Sequence, residues 1–233
     1  MSYFTELEIE ALVLSLRVAF WAMLWSLPMG IAVAWLLARR NFWGKSLLDA
    51  LVHVPLVVPP VVVGYVLLIL LGRRGPVGGW LFENFDITIA FTWRGAAVAS
   101  AVMGFPLMVR AIRLSIEAVD PGLEAAARTL GAGPMAVFFT ITLPLAGSGI
   151  LTGAILAFAR SLGEFGATIT FVSNIPGETR TLPIALYSLA QVPGGEAAAL
   201  RIVLISVTLA FAALFASEII ARCMRARIQG ARQ

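Results

Sequence analysis

One cysteine (Cys223) and one histidine (His53) in 233 residues exclude a disulfide framework and leave no His/Cys cluster to hold a metal. Charge is scarce as well. Only 13% of residues are Asp, Glu, Lys or Arg, against about a quarter in soluble domains, while 60% are hydrophobic. With a mean hydropathy of +0.92, this composition excludes a water-soluble domain and belongs in a bilayer. The net charge of +4 sits on arginines scattered among apolar runs, with no basic stripe, so nucleic acid is not an expected partner. The sequence also lacks nucleotide motifs. Gly44-Lys45-Ser46 has Arg39 where a phosphate-cradling loop needs glycine, and Gly131-x-Gly133-x-x-Ala136 has no strand before it. A chain without an ATP site must draw any energy from a partner. The opening MSYFTELEIE carries Glu6, Glu8 and Glu10 in place of a positive n-region and reads as uncleaved.

What is present is a set of long apolar runs. A spanning helix needs about 20 such residues. Five segments qualify: about Ala11 to Ala38, Leu51 to Leu71, Thr92 to Val109, Gly149 to Val172 and Ala197 to Ala221. The fourth carries Arg160 and Glu164. Pro55, Pro59 and Pro60 predict either a kinked or delayed start to the second span, with a short interfacial helix before it, or a broken helix lining a path. Five spans divide the loops into two sets. One holds ten basic residues: Arg39, Arg40, Lys45, Arg110, Arg113, Arg128, Arg222, Arg225, Arg227 and Arg232. The other holds five, counting Arg94 and Arg201 at span ends beside Arg73, Arg74 and Arg180. Positive residues stay inside, which predicts an outer N-terminus and a cytoplasmic C-terminus.

Residues 117–144 interrupt this pattern. Asp120-Pro121 is an N-cap and first-turn signal, and Glu124 and Arg128 sit at i, i+4 on an alanine-rich turn. Gly131 and Gly133 predict a chain reversal, and Pro134 the start of a second helix leading into span four. A structured cytoplasmic loop of this length is unusual for a mere connection.

The spacing Ala126-Ala127, Gly131, nine residues, Ile141, one residue, Leu143-Pro144 resembles the EAA loop of ABC importer permeases. One position departs from the pattern: Ala125 stands where that family has Glu, and Glu124 lies one residue earlier. The resemblance implies an all-α integral membrane protein of the type I ABC importer permease fold, one permease domain over residues 1–233. About five transmembrane helices would carry a cytoplasmic coupling helix. Glu124, Ala126, Ala127, Arg128, Gly131, Ala132 and Gly133 would be its ATPase-coupling residues. A second resemblance narrows the class. FARSLGEFGATITFVSNIPGETRTLP (158–183), GRRG (72–75), FPLMVRAIRL (105–114) and ARTLGAG (127–133) are similar to bacterial molybdate permeases. Sulfate and ferric-iron permeases share the shorter core Arg160, Gly163, Glu164, Phe165, Gly166, Ala167.

By that resemblance the chain is no enzyme and binds no cofactor. It would work as a homodimer in the bacterial inner membrane, moving molybdate and with it tungstate. Its partners would be membrane lipid, a periplasmic molybdate-binding protein and two ATPase subunits that hold ATP and magnesium. A sulfate or thiosulfate permease is the alternative. An ion-coupled secondary transporter would need two related halves and free intramembrane carboxylates, which five spans and a single paired Glu164 do not supply. An intramembrane enzyme would need a nucleophile–base pair or metal ligands at depth, and one His and one Cys do not make one.

Arg160 and Glu164, four apart, read either as a structural intrahelical ion pair or as an arginine on the oxyanion route with its attraction moderated by the glutamate. Gly163 and Gly166 suit close helix approach at a dimer axis. Arg17 reads as snorkelling, His53 as hydrogen-bonded structure, and the tryptophans as anchors and packing. Arg180 reads as a solvated loop residue or a contact for the binding protein. Residues 184–192 predict a helix lying on the surface or dipping into the membrane.

Overall fold

The structure, a computed structural model, describes residues 5–230; Arg232 lies outside them, and the side chains of Arg222, Cys223, Arg225 and Arg227 are not described. All regular structure among the described residues is helical. Helix α1 (Glu6–Arg39) starts at a capping box, in which the Thr5 side chain accepts from the Glu8 amide and the Glu8 carboxylate accepts from the Thr5 amide. It begins earlier than the apolar pattern predicts because this cap lets the acidic turn join the helix. Helices α2 (Lys45–Val57) and α3 (Pro60–Leu71) are separate because Pro59 and Pro60 remove two amide donors in succession, and they meet at 114°. The proline cluster thus makes two helices of 13 and 12 residues, about 20 and 18 Å long, and neither alone crosses a hydrocarbon layer of about 30 Å. Helix α4 (Pro76–Phe85) fills a connection that the hydropathy pattern leaves blank.

Helix α5 (Trp93–Glu117) is the most buried of the long apolar helices and runs two turns beyond the predicted span end. Residues 118–120 lead to α6 (Pro121–Thr129), then to α7 (Pro134–Leu145), which widens to a π-turn over Phe138–Thr142, and a 69° bend leads into α8 (Gly147–Leu162). The predicted fourth span is therefore not one helix. Its helix starts just before the predicted span, after the bend at Ala146, ends at Leu162 and resumes as α9 (Gly166–Val172). Helix α10 (Leu182–Ala190) buries one face, where Leu182 and Ala185 pack with Ala11 of α1 and Ile202 of α11 (Glu196–Gly230), and leaves Tyr187 exposed on the other. Three of the helices are long and apolar enough to cross a membrane, or five when each bent pair counts as one span.

Small residues let the central helices touch. A Cβ on Gly149 would fall 2.1 Å from Ser115 Cβ, and one on Gly153 2.9 Å from the Met108 carbonyl, so α8 lies directly on α5. One core gathers Val18 and Ala22 of α1, Ala97 and Met103 of α5, and Ala167 and Phe171 of α9. A second joins Ala34 and Leu37 to Met108, Ile112 and Ala157.

Candidate functional site

Two of the places that carry polar chemistry on this apolar frame hold the residues singled out in the sequence. The first is α6. Its start follows the sequence signals: the Asp120 side chain accepts from the Gly122 amide at 2.8 Å and Pro121 takes the first helical position. Its end is a Schellman turn, in which the Ala132 amide reaches the Ala127 carbonyl and the Gly131 amide the Arg128 carbonyl, both at 3.0 Å. Gly131 stands at φ +89°, the left-handed region, with nothing within 4 Å of a Cβ placed there, so backbone conformation alone requires the glycine. Gly133 does not share this role. Its φ of −69° is ordinary, so the reversal belongs to Gly131 and Gly133 only precedes Pro134 at the head of α7.

Glu124 points inward. It is 6% exposed, and its Oε1 accepts from Arg39 Nε at 3.1 Å and from Thr142 Oγ1 at 2.8 Å. Arg39 also donates to the Val119 carbonyl at 2.9 Å, while Arg128 comes no closer to Glu124 Oε2 than 3.7 Å. One carboxylate therefore latches α6 to the end of α1 and to the π-turn of α7. The outward face carries Ala125, Ala126, Arg128 and Thr129, with Ala127 and Ala132 half-buried. Leu123, Leu130, Met135 and Phe139 stand exposed around it, Leu130 at 89%. The family position held here by Ala125 faces out, and Glu124 faces in. Sequence spacing signalled the pair with Arg128 but not Arg39 or Thr142, which the fold brings in from afar.

The second place is the break between α8 and α9. Arg160 Nη2 lies 2.7 Å from Glu164 Oε2, an ion pair without hydrogen-bond alignment, with side-chain exposures of 28% and 1%. The other oxygen, Oε1, accepts from the Ala167 amide at 2.8 Å and so covers the start of α9. The pair is as predicted, but its geometry is not that of a helix face, because Gly163 ends α8 and Glu164 belongs to the linker. Gly166 is also relocated. A Cβ there would meet Pro60 Cβ at 2.8 Å, so this glycine serves the α3–α9 contact within one chain, next to Gly64, whose Cβ would fall 2.4 Å from the Ala167 carbonyl. Gly163 faces open space.

The remaining singled-out residues have partners within the chain. Arg17 lies over the Trp93 ring at 3.8 Å and Arg180 donates to Asn174 at 2.7 Å. His53 Nδ1 is 2.8 Å from the Asp49 carbonyl and 3.3 Å from its carboxylate. A pair the spacing could not reveal, Arg201 with the buried Glu8 at 2.7 Å, ties α11 to the start of α1. Among the described residues no group of three His, Cys, Asp or Glu could hold a metal.

Comparison with known proteins places this frame. Residues 26–226 match the model of the binding-protein-dependent transport system inner membrane component. The molybdenum transport system permease protein ModB of Escherichia coli (strain K12) is 63% identical over 223 residues, 96% of this chain and 97% of that one. The protein of the same name from Haemophilus influenzae is 55% identical over 222 residues, 95% and 97% of the two chains. Among solved structures, an inward-facing form of the methionine ABC transporter MetNI superposes with a TM-score of 0.71 over 95% of this chain and 99% of that chain, at 17% identity, a likeness of fold. An all-helical permease fold, a match over most of the chain and relatives at this identity agree: the chain belongs to the family of binding-protein-dependent transport system inner membrane components.

Proposed function

We propose that this chain is the permease subunit of an ATP-driven importer that carries molybdate, and tungstate by the same route, across the bacterial inner membrane. The observation that carries this reading is the 63% identity with the E. coli molybdenum permease across 96% of the chain. The chain works as one permease domain, paired with a second copy, and lipid surrounds its apolar helices. A periplasmic binding protein delivers the oxyanion. Two cytoplasmic ATPase subunits hold ATP and magnesium and do the hydrolysis, so this chain needs no cofactor. The loop asymmetry of ten basic residues against five supports a periplasmic N-terminus and a cytoplasmic C-terminus.

The coupling step follows from the α6 latch. ATPase subunits grip the exposed face of α6, with Ala126, Arg128 and the turn through Gly131, Ala132 and Gly133. When they close, α6 moves as a unit because the Schellman turn and the Asp120 cap fix its ends. Glu124 passes the displacement to Arg39 on α1 and to Thr142 on α7, and α7 leads through the bend at Ala146 into α8. At the far end of α8 stand Arg160 and Glu164. The guanidinium is partly open and attracts the dianion. The Glu164 carboxylate offsets that attraction, so the anion passes without being held. Gly163, open on its own chain, faces the second copy.

Labelled molybdate uptake into proteoliposomes holding this chain, its ATPase subunits and its binding protein tests the reading. Uptake that needs internal ATP, survives excess sulfate and falls with excess tungstate is expected. Uptake abolished by sulfate moves the chain to the sulfate branch, which the shared core around Arg160 and Glu164 makes the second reading. Uptake without ATP overturns the importer mechanism.

A further inference from the structure

A cavity of about 390 Å³ between the end of α1 and the turn from α6 to α7 shares Arg39, Glu124 and Thr142 with the latch and Arg128 with the coupling face, and the transport reading gives it no occupant. Arg39, Arg40 and Arg128 line it, with Glu124 as the one carboxylate. Arg39 is occupied, by Glu124 and the Val119 carbonyl. Arg40 and Arg128 are not occupied in this way. The Arg40 guanidinium is folded back 5.5 Å from the ring centre of Trp35, and Arg128 makes only its 3.7 Å approach to Glu124 with its side chain 61% exposed. Three guanidiniums around one carboxylate leave the cavity short of two negative charges. Its remaining wall is aromatic: Trp35 and Phe138 meet edge to face with centroids 5.7 Å apart.

The depth of the cavity says what would fill it. The 34 residues of α1 extend about 51 Å, well past a hydrocarbon layer of about 30 Å, and the charged Arg39-Arg40 at its end are what assign its last turn to the headgroup region. Basic pockets between helices at that level suit phosphate headgroups, and aromatic rings prefer the same layer. We propose that this cavity binds the phosphate headgroup of an anionic phospholipid, held between Arg40 on α1 and Arg128 on α6 and seated against Trp35 and Phe138. A soluble anion would gain nothing from the aromatic wall; a lipid, with its glycerol and first methylenes, would. The bound headgroup adds a second bridge between α1 and α6 beside the Glu124 latch, so anionic lipid stiffens the joint through which α6 moves. This goes beyond the identity of the transported ion and holds whichever oxyanion is carried.

The test uses the chain purified with its ATPase subunits from nanodiscs of phosphatidylcholine with or without phosphatidylglycerol, counting the phospholipid retained by native mass spectrometry. Phosphatidylglycerol should be retained in preference to phosphatidylcholine. Arg40→Gln and Arg128→Gln should each weaken that retention about fivefold. Arg40→Lys, which keeps the charge, and Arg73→Gln, on the loop after α3, should retain lipid as the unaltered chain does. Equal retention in Arg40→Gln and Arg128→Gln overturns the proposal. So does release of the lipid by inorganic phosphate, which would make this a pocket for soluble anions. Loss of the lipid whenever the ATPase subunits are bound also overturns it, because the cavity would then belong to the protein interface.

Discussion

Removing the Glu124 carboxylate should loosen α6 while leaving the face it presents to a docking partner unchanged. Oε1 takes charge-assisted bonds from Arg39 at 3.1 Å and Thr142 at 2.8 Å, in a site where the residue is 6% exposed. Bonds to a charged group contribute about 1.5–3 kcal/mol each, an upper sum of about 3–6 kcal/mol. Arg39 keeps the Val119 carbonyl and its side chain is 16% exposed, so it recovers part of the loss from water. A local cost of about 2–3 kcal/mol for Glu124→Ala is the result, or roughly thirty- to 150-fold in the opening of the latch. Glu124→Gln keeps an acceptor oxygen and should cost about half as much. Hydrogen exchange of the amides of residues 121–132 reads the opening directly, and molybdate moved per ATP hydrolysed reads its consequence. Exchange should quicken by that factor and transport per ATP should fall, with ATPase subunits still bound. Leu130→Ala, at an 89% exposed position, should do the reverse: weaker partner binding and unchanged exchange. Wild-type exchange in Glu124→Ala, or a pure loss of partner binding, would refute the latch.

Gly131→Ala places a side chain at φ +89° with no neighbour to clash, so its cost of about 1–2 kcal/mol is wholly backbone strain. Gly131→Asn should be milder, and exchange across the α6–α7 turn measures both. Gly64→Val should sharply lower the folded yield, because even a Cβ falls 2.4 Å from the Ala167 carbonyl; normal thermal stability would sink that packing argument. Gly163→Ala faces open space within one chain, so it should leave the detergent-solubilised monomer's stability alone. A weakened dimer in the same variant, seen by crosslinking, is the expected sign that the second copy packs there. Glu164→Gln keeps an acceptor for the Ala167 amide but leaves Arg160 uncompensated, so uptake should slow as the anion lingers; unaltered uptake kinetics would remove this pair from the path.

The stretch around α6 was legible because its punctuation is local. Asp120, Pro121, Gly131 and Pro134 each act on backbone within two residues of themselves, and the structure uses all four where the sequence predicts them. Gly133 shows the limit, since two glycines in three residues announce a turn without saying which one turns left-handed. The direction of Glu124 was beyond reach for another reason: spacing names Arg128 as its neighbour, whereas burial selects Arg39 from 85 positions away. Prolines 59 and 60 announced an interruption, but the 114° angle is set by how α2 and α3 pack, α3 closing on α9 through Gly64. Residues 182–190 read as a helix from Pro183 onward. Only the packing of Leu182 and Ala185 on Ala11 and Ile202 decides which face turns inward.

The break in span four is the case where a right contact followed from a wrong premise. Helical spacing pairs Arg160 with Glu164, and they do meet at 2.7 Å, yet the helix between them has already ended. The reason lies in the sequence SLGEFG. Gly163 and Gly166 lower the helix propensity on both sides, and the Glu164 carboxylate can take the Ala167 amide, one of the donors left free when a new helix begins. An apolar span tolerates a break only where protein satisfies the freed backbone, and here a side chain does part of that. The same carboxylate thus holds an anionic charge beside an arginine at the point where the span is broken. If the oxyanion passes here as proposed, an arginine already partly neutralised suits a path that does not hold it, and the carboxylate that takes the Ala167 amide at the break supplies that neutralising charge.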